Sequence, residues 1–408
     1  MKKKISILFL TTSNLATNPR LVKEMDLAIQ LGYHVSVICF SFNNWSKELN
    51  EQIKQRFGYT IELKEIPAGR RPIFPWLFSS FFQQLYKFFF WVNEKNISSI
   101  SFVLFKRTWL LQNELKKQHE QVDLIVSHNP GSFYPAYTYS QKMKIPFGID
   151  VEDYHPGETN HVKQSTMTRK MMQAVLPPSA YVTAASPLIL EKVKEDCNAK
   201  LNCTETVLNY FDSNEFLSPV NSESEKLQLV WFSQYIDAGR GLEKLIETVK
   251  VFPDEVELHL YGELNENFNR NYLSFVSNIV VHPALPQKEL HQQLSKYDIG
   301  LAAEDSSSNF NRDICLTNKL LSYYQAGLYI LASDTSAQKQ FIQQYPEHGI
   351  ITSLRSEDLK KNIQNLIEQK NNLRQTSRQR FEKARSANSE SELLKLSSIW
   401  SSLTYKTR

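Results

Sequence analysis

The sequence predicts an α/β chain of two Rossmann-like domains whose parallel sheets face each other across a cleft. Three observations predict it. Short apolar runs alternate with amphipathic segments of helical length, the pattern of parallel strands joined by crossover helices. That alternation occurs in both halves of the chain. The length, 408 residues, exceeds what a single domain of about 150 residues holds.

In chain order, Ile5–Thr11 reads as a buried strand, Asn18–Leu31 as an amphipathic helix and His34–Phe40 as a second strand after Gly32. Asp123–Ser127, Phe147–Val151 and Tyr181–Ala184 are further strands, with helical segments such as Tyr134–Lys144 between them. In the second half, Gln228–Ser233, Val256–Tyr261, Ile279–His282, Ile299–Ala302 and Tyr329–Ala332 are strand-like. Helical patterns at Gly241–Val251, Gln287–Lys296, Asn318–Ala326 and Ser356–Gln369 separate them. The domains are drawn as 1–210, a polar linker over 211–226, 227–385, and a C-terminal helix over 386–408 that docks back toward the first domain. Leu393, Leu394, Leu396, Ile399, Trp400 and Leu403 supply that helix with apolar residues.

Composition excludes several classes. Apolar residues at 41% and charged residues at 22% are ordinary for a folded soluble chain and rule out disorder. The net charge of +4 is too small to coat nucleic acid, so no nucleic-acid partner is expected. Cys39, Cys197, Cys203 and Cys315 lack CxxC spacing, which argues against a zinc ribbon or a disulfide framework and for a cytoplasmic location. The apolar run Ile5–Leu10 is short for a secretion signal, and no run is long enough to span a membrane.

Neither GxGxxG nor a Walker A loop is present, which disfavours nicotinamide dehydrogenases and P-loop ATPases. Asp-x-Asp and HExxH are missing too, so no metal is expected. Two helix starts carry cations. The loop from Ser233 ends in Arg240-Gly241, which can offer a guanidinium and backbone N–H groups to a phosphate, or can be a solvated turn. In ICLTNKLLSYYQAGLYILASD, Thr317 is the expected N-cap, Asn318 and Lys319 fill the first turn and Gly327 ends the helix. A lysine there opposes the helix dipole, and a bound anion would relieve the conflict; otherwise it points to water.

The order and spacing of these parts resemble retaining glycosyltransferases of the GT-B fold, close to glycosyltransferase family 4. VLNYFDSNEFLSP resembles that family's interdomain stretch through Asn209, Asp212 and Phe216. LVWFSQYIDAGRGLEKLI resembles its donor loop, LHLYG (through Tyr261 and Gly262) its following strand, and TNKLLSYYQAGLYILASD its donor-site helix. DLIVSHNP resembles the strand and loop that carry a cleft histidine, here His128. There are departures. Gln234 stands at the family's donor-loop arginine and Arg240 at its lysine; Ser322 stands at the ribose-holding glutamate and Ile314 at that residue's partner. Lys319, three before Ser322, matches a "K..E" variant.

The resemblance implies a metal-independent transferase with a nucleotide sugar as co-substrate and no other cofactor, acting in bacterial surface polysaccharide synthesis. His128, Arg240 and Lys319 would be catalytic, the last two neutralising the departing diphosphate. Gln234, Gly241, Tyr261, Gly262, Pro286, Asn318 and Ser322 would bind the donor. Asn18, Arg20, Asp153, His155 and Glu158 would bind a glycan or lipid-linked acceptor, although the carboxylates around His155 also have the chemistry of a metal site. A GT-B nucleotide-sugar 2-epimerase and a non-catalytic sugar-nucleotide scaffold remain open, as does the oligomeric state.

Phe74–Trp91 holds ten aromatics in 18 residues. Phe74, Leu77, Phe78, Phe81, Leu85, Phe88 and Val92 mark a helical stripe that Trp76, Phe82, Tyr86, Phe90 and Trp91 widen beyond a core face. Between Ile66 and Arg107 stand six Lys or Arg and one acid, Glu94. Such a helix either packs on the first domain or another copy, or lies on the inner face of an anionic plasma membrane, with Trp76, Phe82, Phe89 and Trp91 as docking residues.

Overall fold

The computed structural model describes residues 4–69, 73–89, 96–118, 121–220, 222–239, 241–274, 276–305 and 309–405. Two compact units emerge: residues 1–208 with 393–408, and residues 209–392.

The first unit is built on seven parallel strands: β1 (Ser6–Thr11), β2 (His34–Ser41), β3 (Ile61–Pro67), β4 (Leu124–His128), β5 (Phe147–Val151), β6 (Tyr181–Ala184) and β7 (Thr204–Thr206), in the order β3-β2-β1-β4-β5-β6-β7. Its helices are α1 (Pro19–Gln30), α2 (Lys47–Phe57), α3 (Ile73–Phe89), α4 (Ile97–Leu104), α5 (Thr108–Leu115), α6 (Pro130–Met143), α7 (Val162–Val175) and α8 (Pro187–Asp196). β1 and β4 are buried at every residue, as parallel strands covered on both faces must be. α1 starts where it does because the Asn18 side chain accepts from the Leu21 N–H and Pro19 fills the first helical position.

The second unit repeats the plan with β8 (Leu227–Ile236), β9 (Val256–Leu264), β10 (Ile279–His282), β11 (Ile299–Ala302), β12 (Tyr329–Ser333) and β13 (Gly349–Thr352), ordered β10-β9-β8-β11-β12-β13 and all parallel. Its helices are α9 (Leu242–Val249), the short α10 (Glu266–Phe268), α11 (Gln287–Gln293), α12 (Phe310–Ile314), α13 (Asn318–Gln325), α14 (Ser336–Gln344), α15 (Ser356–Glu368) and α16 (Lys370–Ala384). The core gathers Leu229, Trp231, Leu258, Leu260 and Leu301 from the sheet with Leu245, Ile246 and Ile363 from the helices.

The last helix, α17 (Ser389–Tyr405), inserts Leu396 and Trp400 into the first unit's core, where Trp400 meets Phe9 edge-on at 6.1 Å and donates to the Tyr181 hydroxyl at 2.9 Å. In both sheets the strand order reverses once, between β1 and β4 and between β8 and β11. Ligands of open α/β sheets bind outside the carboxyl ends of the strands at such reversals.

Candidate active site

At the carboxyl end of the first sheet, charges are matched one by one. Arg20, on α1, donates from Nε and Nη2 to both oxygens of Asp150, each at 2.7 Å, and from Nη1 to the Val207 carbonyl at 2.8 Å. Thr183 adds a hydroxyl to Asp150 at 2.6 Å. Burial would raise the Asp150 carboxyl, but the guanidinium outweighs it and the net shift is downward. His128 ends β4, fully buried, with Nε2 3.1 Å from Glu24 and Nδ1 3.4 Å from Glu152 and 3.5 Å from Asp150. Burial alone would keep the ring neutral; Glu24 and the other carboxylates prevail and push it up to about 10. Both ring nitrogens are therefore committed to carboxylates inside the unit.

Among the described residues, Glu24, His128 and Asp150 are close enough to share a metal ion. Arg20 already takes both Asp150 oxygens, and both imidazole nitrogens face carboxylates. The donor set is thus satisfied by organic cations and does not fit a metal. Of the other expected acceptor residues, Asn18 is buried as a helix cap, Asp153 is half-buried and Glu158 is exposed. His155 faces Glu158 across 2.9 Å and keeps a buried Nε2 without a hydrogen-bond partner. A cavity of about 400 Å³ opens beside the carboxyl ends of β1 and β3, with Thr12, Pro67, Trp76, Ser79, Lys106 and Arg107 on its wall.

In the second unit, Lys319 occupies the first turn of α13, and Thr317 caps that helix as its sequence predicts. The ammonium does not stand open at the helix tip. It turns inward, 6% exposed, to within 3.0 Å of Glu304 Oε1 and 5.1 Å above the Trp231 ring. The dipole conflict is real, and Glu304, two residues after β11, supplies the relieving anion. Gln234 is exposed near the end of β8. In the following loop the Gly239 N–H donates to Glu243 at 2.7 Å and Arg312 reaches the Gly239 carbonyl at 3.2 Å; Gly241 precedes α9.

Tyr261 stacks on His282 at 4.4 Å and shares a 2.6 Å hydroxyl contact with Tyr297. Gly262 must lack a side chain, because a Cβ there would lie 2.5 Å from the Ser233 carbonyl, where the β8 register breaks. Pro286 is exposed just before α11, and Asn318 accepts from Asn209 at 2.8 Å. Ser322 is fully buried, with its hydroxyl 3.1 Å from His291 Nε2 while His291 Nδ1 lies 2.7 Å from Glu215. These are the residue types of a nucleophile triad, but a fully buried hydroxyl within α13 gives a substrate no approach.

Two of the proposed docking residues need correction. Phe82 stacks on Trp109 at 4.3 Å and half-buried Trp76 carries the Lys106 ammonium 4.5 Å above its ring, so both turn toward the first unit's own helices. Arg240 and Trp91 lie outside the described residues, as does the side chain of Phe89. Three charged residues had escaped notice. Glu24 sits four positions after Arg20, one helical turn along the same face, which is a readable signal. Glu304 could have been found as an acid placed two residues after a buried strand. Arg312 carried no signal of its own.

No protein-family model matches the chain, and no curated protein does. Solved structures do. Sucrose-phosphate synthase from Thermosynechococcus elongatus superimposes with a TM-score of 0.68 at 12% identity, over 99% of this chain and 100% of that one. HepE from Anabaena, solved with UDP, gives 0.66 at 12% identity, over 98% and 100%. The fold is GT-B. A glycosyltransferase from Rickettsia africae shares the GT-B architecture at a TM-score of 0.65 and 12% identity, over 98% of this chain and 99% of that one. HepE has also been solved with UDP-glucose.

Proposed function

We propose that this chain is a glycosyltransferase that moves a sugar from a nucleoside diphosphate to a glycan or lipid-linked acceptor in bacterial surface polysaccharide synthesis, without a metal and with retention at the anomeric carbon. The observation that carries the reading is the buried Lys319–Glu304 pair at the start of α13, set at the reversal of strand order in the second unit of a GT-B fold. An ammonium already desolvated there interacts strongly with an arriving diphosphate, which competes with Glu304 for it. As the sugar leaves, charge grows on the departing phosphate oxygen. Fixed cations and helix N–H groups aimed at that oxygen lower the barrier, because they act more strongly on the transition state than on the bound donor. Arg240, at the sequence position of the family's donor-loop lysine, is proposed as the second cation, a role that the absence of Asp-x-Asp leaves to side chains. The first unit, with its cavity beside β1 and β3, takes the acceptor.

Product analysis tests this. Purified protein, a panel of labelled nucleotide sugars and a lipid-linked acceptor should yield a lengthened acceptor and a free nucleoside diphosphate. Lys319→Ala should lower turnover by roughly a hundredfold or more, the loss of one charge-stabilising donor, about 2.7–4 kcal/mol. An epimerised nucleotide sugar with no lengthened acceptor would assign an isomerase instead, and binding without turnover would assign a scaffold.

A further inference from the structure

The helix α3 has two unlike faces. One packs inward: Ser79 is buried, Phe82 stacks on Trp109, Tyr86 lies 4.8 Å from Phe102, and Gln83 donates to the Val103 carbonyl at 2.9 Å. The other is exposed and apolar. Ile73 (53%), Phe74 (69%), Leu77 (45%), Phe78 (52%), Phe81 (61%) and Leu85 (37%) project from it. Their spacing places them along a single stripe of the helix. Soluble proteins seldom leave contiguous apolar surface of this kind to water.

Charge identifies what covers it. No acid occurs in α3, and its one charged residue, Lys87, is exposed in the last turn. The surrounding sequence from Ile66 to Arg107 adds Arg70, Arg71, Lys95, Lys106 and Arg107 against a single Glu94. A second copy of α3 offers no acid to meet Lys87, whereas an anionic lipid surface complements it. No described helix is long and apolar enough to cross a bilayer, so α3 suits the interface plane and not its depth.

We propose that α3 docks this protein on an anionic membrane, lying in the headgroup region with the stripe from Ile73 to Leu85 set into the acyl boundary. The inference goes beyond the transferase reading and does not depend on it: a protein that floats but transfers no sugar keeps the docking and loses the function.

Flotation of the full chain decides it. The protein should rise with vesicles of phosphatidylcholine containing about one-third phosphatidylglycerol and remain behind with phosphatidylcholine alone, and high salt should release it. The triple variant Phe74→Ser, Phe78→Ser, Phe81→Ser changes exposed positions only and should melt as the parent does, yet its partition should fall roughly a hundredfold. Lys87→Glu should weaken flotation on anionic vesicles more than the neutral change Lys87→Gln. Parent protein that stays in solution with anionic vesicles overturns the proposal, as does a triple variant that floats like the parent. A concentration-dependent dimer that the triple variant abolishes, with no lipid binding, overturns it too and assigns the stripe to self-association.

Discussion

Two buried residues of opposite character show what single side chains do here. Arg20 and Asp150 form a two-pronged ion pair that is almost wholly removed from water. Breaking it strips a buried carboxylate of its two-pronged partner and leaves only the His128 ring, 3.5 Å away, so Arg20→Met should cost about 3–5 kcal/mol, read from the shift in urea midpoint. Arg20→Lys should recover only part of that, because one ammonium cannot match both oxygens. His348 is the reverse case. It is buried against Tyr324 and Tyr345 with neither ring nitrogen hydrogen-bonded, and burial lowers its pKa to about 4. The unfolded chain takes up that proton near pH 6.5 and the folded chain does not, so stability is lost as pH falls from 6.5 toward 4, at up to about 1.4 kcal/mol per pH unit. Urea denaturation at pH 7 and pH 5 should show that loss shrinking in His348→Phe.

At the scale of elements, the docking of α17 depends on a residue far from it in sequence. A Cβ on Gly148, in β5, would sit 2.0 Å from the ring of Tyr181 on the neighbouring strand, and the Tyr181 hydroxyl is what accepts the Trp400 indole. Gly148→Ala should therefore cost roughly 1–3 kcal/mol as an overpacking change. It should also speed hydrogen exchange across residues 393–405, whereas a purely local effect would leave that helix protected. Elements with a strong period were legible: the amphipathic α1, α13 with its Thr317 cap and the apolar face of α17 all follow from spacing and, for α13, a capping residue. Those that escaped are short or polar. β3 reads IELKEIP and carries charged side chains on a sheet-edge strand, β7 has three residues, and β13 has four. For α3, the stripe was visible, but its direction was not. A helix apolar on nearly every side shows no polar face to set outward, and only the partners Trp109, Lys106 and Phe102 fix which rings turn in.

For the molecule as a whole, the proposed donor site makes a measurable claim on stability. A nucleoside diphosphate bound there, at 100 times its dissociation constant, should stabilise the native state by about 2.7 kcal/mol. In a melting scan that corresponds to a rise of roughly 5–10 °C for the transition of the donor unit. Lys319→Ala should reduce the rise; equal shifts in parent and variant would remove the ammonium from the nucleotide site. The sequence by itself determined the alternation of strands and helices, the two-unit plan and the helix starts, because periodicity and capping are local and survive in a single string of residues. The tertiary structure alone decided which charges meet. Glu304 and Lys319 are separated by loop and helix, Arg20 and Asp150 by most of a domain, and no local pattern records such pairs. They form because burial makes an unmatched charge so costly that each must find its opposite wherever the fold brings one within reach.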